Sequence, residues 1–160
     1  MPTGHHITNG CTGQICAVTF CAERCTKAAI KNSRGEPGVR GLMYGIPKDL
    51  NLDVMVGSEC TQVRVGQFDV QFSFGEIDFN VQSKISLCKH GTEIGVWEEG
   101  KWPDDAFYKI INVPVESVQI QNSKIIVISL EKGISIHLSD DSEQFETMKI
   151  TIRGEDPWII

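Results

Sequence analysis

No run of the sequence is long and apolar enough to cross a bilayer, which takes about 20 residues. Positive charge is also short: 15 Lys and Arg stand against 21 Asp and Glu, a formal net charge of −6. Overall electrostatics therefore disfavour a nucleic-acid partner. A secretion signal is poorly formed, because no basic start precedes the short apolar run at 15–22, which Thr19 interrupts and Glu23 and Arg24 follow. The expected compartment is the cytoplasm, where cysteines stay reduced. No Walker loop, G-x-G-x-x-G, G-x-S-x-G or H-E-x-x-H is present, and neither His90 nor His137 has a nucleophile set near it in sequence. The expectation is a protein that is not an enzyme and carries no cofactor.

What is present divides into two parts. Residues 1–42 hold five basic and two acidic side chains, a net of +3, which leaves −9 for the remainder. Such a shift marks a boundary between differently built segments. The boundary falls in SRGEPGVRGL (33–42), where glycine, proline and charge cluster as in a linker. Before it, Ile15, Val18, Ala22, Cys25 and Ala29 follow a helical spacing over 14–31, but the stripe is mostly small residues. Cys11, Cys16, Cys21 and Cys25 are separated by four, four and three residues. Four thiolates suffice for tetrahedral zinc, yet no C-x-x-C knuckle is among them. Residues 1–42 therefore read as a cysteine-containing tail, weakly helical or disordered. They read equally as the product of a start site placed upstream of Met43, where the well-patterned part begins; the zinc site is the alternative.

From residue 43 to 160 the expected unit is a single β-rich domain. Val70, Phe72 and Phe74 alternate with polar residues, as do Ile77, Phe79 and Val81, with Gly66 and Gly75 at the turns. Val63 and Val65 precede them, and Ile85 and Leu87 suggest one more short strand. A second series comprises Val118 and Ile120, the nearly continuous apolar run 125–130, then Ile134, Ile136 and Leu138, and finally Met148, Ile150 and Ile152. The two series, about 56–88 and 113–152, share a rhythm that suggests duplication. Between them PDDAFYKIINVP has Pro103 and two aspartates suited to a helix start, with Pro114 to stop it. The expected fold class is mainly β (α+β). Two antiparallel meanders of three to four strands pack as a sandwich or partly open barrel, with one short helix between them. The run 125–130, apolar on both faces, requires a cover or a partner subunit, and exposed sheet edges invite a homodimer.

Two acidic stretches are the candidate sites. WEEGKWPDD interleaves Trp97 and Trp102 with Glu98, Glu99, Asp104 and Asp105, a recognition rim suited to a basic protein partner. The plainer reading is a loop whose tryptophans anchor it to the sheet. SDDSEQFE carries Asp140, Asp141 and Glu143. It lacks the EF-hand pattern and reads as a solvated turn with Phe145 fastening it to the core, or as a second part of the partner surface.

MYGIPKDLNL (43–52), VGSECTQVRVGQFDVQFSF (56–74) and DDSEQFETMKI (140–150) together resemble a family of short, uncharacterised bacterial β-rich proteins, classed as a domain of unknown function. The resemblance runs over about 43–152 and leaves the cysteine-rich start unmatched. It implies a strand pair, a short middle helix and a late acidic turn, and no activity. Small β-rich proteins of this size also resemble immunity proteins at the level of fold. The leading expectation is a non-enzymatic protein-binding module, immunity- or inhibitor-like. The alternatives are a zinc-binding regulatory or structural protein using the amino-terminal cysteines, and a small-molecule binder with a pocket between the meanders.

Overall fold

A computed structural model describes residues 45–160. The helix read over 14–31, the four cysteines proposed for zinc and the linker at 33–42 lie outside the described residues.

Alternation is what builds the fold. In β1 (Cys60–Val65), β2 (Val70–Phe74) and β3 (Ile77–Val81) the apolar side chains of β2 and β3 are all buried, and the polar ones between them face outward. Gly75 turns β2 into β3 with a left-handed backbone, φ 56°, which suits a residue without Cβ. β4 (Ile85–Lys89) and β5 (Thr92–Trp97) follow, then β6 (Val115–Asn122), β7 (Ile125–Leu130), β8 (Ile134–Ser139), β9 (Met148–Ile152) and the two-residue β10 (Trp158–Ile159). They form two antiparallel five-stranded sheets, ordered β1-β2-β3-β9-β10 and β5-β4-β8-β7-β6. Residues from both sheets join one core cluster, in keeping with a sandwich.

The pairing differs from the order of the two meanders. Sequence alternation groups Ile85 and Leu87 with the first meander and Ile150 with the second. Instead β4 pairs with β8, Leu87 opposite Ile136, and β9 returns to β3, Ile150 opposite Phe79. The halves of the chain therefore do not map one to one onto the sheets. The physical reason is that alternation specifies which face a strand buries and leaves open which edge it joins. β5 and β10 were not read from sequence. β5 hides because Gly95 interrupts its apolar pattern, and β10 because it has two residues.

The short helix expected between the meanders is a 3-10 helix over Asp105–Ile110, burying Ala106, Phe107 and Ile110. Phe107 stacks on Phe72 with ring centroids 6.5 Å apart, so the helix packs its aromatic side chain into the core. It meets β5 at Gly95, where a Cβ would stand 2.9 Å from that of Ala106.

The outer face of the first sheet is polar. One cross-strand row runs Arg64–Gln71–Asn80–Lys149, the next Gln62–Ser73–Asp78–Thr151. Ser73 Oγ donates to Asp78 Oδ1 at 2.5 Å. His137 is buried, with Nε2 3.1 Å from Ser135 Oγ. Burial holds its pKa below the ordinary value, because the charged ring would lose its hydration. Unfolded chain takes up that proton as pH falls through about 6.5 while the folded ring resists, so acidification in this window removes stability. The midpoint of urea unfolding should thus fall between about pH 7 and pH 5. His137→Gln should flatten part of that fall. An unchanged pH slope in the variant would mean that the ring titrates as it does in water.

Candidate functional site

The loop after β5 is built to present one side chain. Trp97, at the end of β5, is 1% exposed and belongs to the core. The chain then turns, with the Lys101 N–H donating to the Glu98 carbonyl at 3.1 Å and Gly100 at φ 77°. Lys101 Nζ reaches Glu98 Oε2 at 2.7 Å, and Lys84 Nζ lies 3.7 Å from Oε1. The hydrogen bond from Lys101, helped by both positive charges, holds the Glu98 carboxyl below its usual value. On the far side Asp104 Oδ2 accepts from the Val96 N–H at 2.8 Å, and its carbonyl accepts from the Phe107 N–H at 3.0 Å. Trp102 stands between these anchors and is 85% exposed.

The β1–β2 hairpin loop is held in the same way. The Gly66 N–H donates to the Asp69 carbonyl at 2.8 Å. Asp69 Oδ2 accepts from Gln71 Nε2 at 2.7 Å and Asn80 Nδ2 at 2.8 Å. A Cβ on Gly66 would collide with the Asp69 carboxylate. Phe68, inside this loop, is 55% exposed.

Val65, Gly66, Gln67 and Phe68 form one lip of a surface groove, and Gly100, Lys101 and Trp102 form the other. Its volume is about 470 Å³. An aromatic on each lip, each on a loop fastened by hydrogen bonds to an aspartate carboxylate, gives a held apolar contact surface.

The residues singled out in the sequence separate into three roles. Trp102 lines the groove, and Glu99 and Asp105 are exposed beside it in the chain. Glu98 and Asp104 hold the loop. Trp97 and Asp140 are buried, so their side chains are not part of a surface. Asp140 Oδ1 accepts from Thr147 Oγ1 at 2.9 Å, and Oδ2 lies 3.4 Å from Lys124 Nζ. Asp141 and Glu143 are exposed, but neither lines the groove. Phe145, expected to fasten the acidic turn, is itself exposed. Ser142 closes the turn on itself, its Oγ accepting from the Gln144 and Phe145 N–H groups at 3.1 and 2.9 Å, and its carbonyl ties the turn to the β6–β7 connection by accepting from Lys124 Nζ at 3.1 Å.

Phe68 escaped the sequence reading, because GQFD looks like an ordinary turn. Its signal was a large aromatic in a tight loop, where no core position needs it. Among the described residues no cluster of three or more His, Cys, Asp or Glu is placed to hold a metal ion, and no helix is long and apolar enough to cross a membrane. Cys60 is buried and its thiol is pushed up to about 12, mainly by burial, which suits packing rather than nucleophilic chemistry. No family model, curated protein or solved structure matches the chain.

Proposed function

We propose that this chain is a non-enzymatic protein-binding module, inhibitor- or immunity-like, which docks its partner at the groove between Phe68 and Trp102. The observation that carries the reading is the exposure of Trp102 on a loop held by anchors on both sides. Leaving an indole in water forgoes the burial that tryptophan otherwise gains in a core. Holding it rigid there lowers the ordering entropy a partner must overcome. Tryptophan is enriched among residues that dominate interface energies.

The partner is basic. Residues 45–160 hold 10 Lys and Arg against 19 Asp and Glu, a net of −9, and Glu99 and Asp105 flank the Trp102 lip. Opposite potentials speed encounter and suppress wrong partners. This reading rests on loop geometry and charge, and takes nothing from the family resemblance.

The test is a pull-down followed by titration with the captured partner. The double variant Phe68→Ala/Trp102→Ala should weaken binding by at least about 30-fold, the scale of losing a hot spot of about 2 kcal/mol. Tyr108→Ala removes an exposed aromatic that does not line the groove, and should leave affinity within about twofold. Unchanged binding by the double variant would overturn the assignment.

A further inference from the structure

The two sheets end in four outer strands, β1, β10, β5 and β6. An outer strand presents a row of backbone N–H and C=O groups ready to pair with another chain, and proteins close such edges off. Three of the four are closed here. β10 is only two residues long. The 3-10 helix over Asp105–Ile110 packs on β5, whose Val96 N–H is taken by Asp104 Oδ2 at 2.8 Å. β6 is met at both ends by the segment 46–57. The Gly57 N–H donates to the Val115 carbonyl at 2.8 Å, and the Ile46 N–H to the Ser123 carbonyl at 2.9 Å.

β1 is the exception. Its lead-in is held, the Val115 N–H donating to the Ser58 carbonyl and the Asn112 N–H to the Cys60 carbonyl, both at 2.9 Å. Beyond Cys60 no backbone among the described residues pairs with its outer side. The phase of the ladder shows which groups that side presents. The Gly66 N–H donates to the Asp69 carbonyl, so the bonded pairs with β2 are Arg64–Gln71 and Gln62–Ser73. Val63 and Val65 therefore turn their N–H and C=O away from β2. Thr61, Gln62, Arg64 and Val65 are all exposed. Val65 also lines the groove between Phe68 and Trp102, so the open edge runs into it.

We propose that β1 accepts an extended segment of the partner as an added strand, paired to Val63 and Val65, with one end in the Phe68–Trp102 groove. The inference rests on the docking reading above and adds the form in which the partner binds. Strand addition takes affinity from main-chain hydrogen bonds and specificity from alternate side chains. Val63 and Val65 share a face with Phe72 and Val70, so every second residue of the added strand is apolar and one of these enters the groove. Charge defines the ends of the segment. Glu59 is exposed just ahead of β1, and Glu99 and Asp105 beside Trp102. The nearby cations already have partners, Arg64 lying 3.9 Å from Asp78 and Lys101 2.7 Å from Glu98. Basic residues flanking the added strand meet the remaining acids. A second copy of the chain suits the edge less well, since two acidic domains repel.

Hydrogen exchange and a peptide scan on the full chain test this. In the free protein the Val63 and Val65 amides should exchange at least about tenfold faster than those of Gln62 and Arg64. Panning a display library of random peptides on the chain should enrich extended sequences with basic ends. In a synthetic copy of one such peptide, N-methylation of every second amide should each weaken binding at least about tenfold, and of the intervening amides less than about twofold. Bound peptide should slow exchange at Val63 and Val65. Val63→Pro removes an N–H that the β1–β2 ladder does not use, and should weaken binding at least about tenfold while β2 and β3 stay protected. Slow exchange at Val63 and Val65 in the free chain would overturn the proposal, as would a dimer that protects them or a library without binders. So would a scan without alternation: if Phe68→Ala/Trp102→Ala still weakens that peptide, strand addition fails and the docking reading stands. An alternating scan in a peptide indifferent to Phe68→Ala/Trp102→Ala would support strand addition and overturn the groove assignment instead.

Discussion

Trp97→Ala is expected to destabilise the domain by about 3–5 kcal/mol, the range for emptying the site of a large aromatic in a packed core. Trp97 is the largest of the fully buried side chains, and it sits where β5 gives way to the loop that carries Trp102. Its indole Nε1 is buried with no hydrogen-bond partner among the described residues, so the ring contributes mainly through packing. Trp97→Phe should therefore be far milder, about 1–2 kcal/mol, since it keeps most of the volume and removes an unpartnered donor. Urea unfolding of the two variants beside the wild type measures the contrast. An alanine variant within about 1 kcal/mol of the wild type would mean that this corner of the core collapses onto the space.

The second large effect separates two acids of one stretch. Asp140→Ala should cost about 2–3 kcal/mol, and Glu143→Ala no more than about 0.5. Asp140 is 3% exposed, and its loss leaves the Thr147 hydroxyl only its longer contact with the Ile160 carbonyl at 3.4 Å and removes the carboxylate facing Lys124. Lys124 is partly in water, which places the cost below that of breaking a fully buried pair. Glu143 is exposed, so truncating it leaves little unpaired. Equal effects in thermal or urea unfolding would contradict the division of this turn into a structural and a surface half.

Much of the architecture was legible because alternation is a direct imprint of burial. Phe72, Phe79 and Ile136 announce their faces by spacing alone. Strand partners were not legible, since β3 and β4 present free edges of the same chemistry to any strand of matching pattern. The site was half legible for a related reason. Composition flagged WEEGKWPDD, but it could not tell that Trp97 turns inward while Trp102 turns outward five residues later. It also could not see that Asp104 meets a backbone N–H on β5. Charged residues in a loop look alike in sequence, and a nearby donor decides which of them face a partner.

The return of β9 to β3 has a consequence for the order in which the molecule can assemble. β4 to β8 are contiguous in the chain and make the second sheet from local hairpins and one longer connection. The first sheet joins Phe79 to Ile150, about 70 residues apart, so closing it carries a larger loop-entropy cost. A nascent chain that has reached only Ser139 can complete one sheet and not the other. Until Met148–Ile152 arrives, β3 presents an open edge beside Phe79 and Val81, which makes the unfinished protein adhesive in a way the finished one is not.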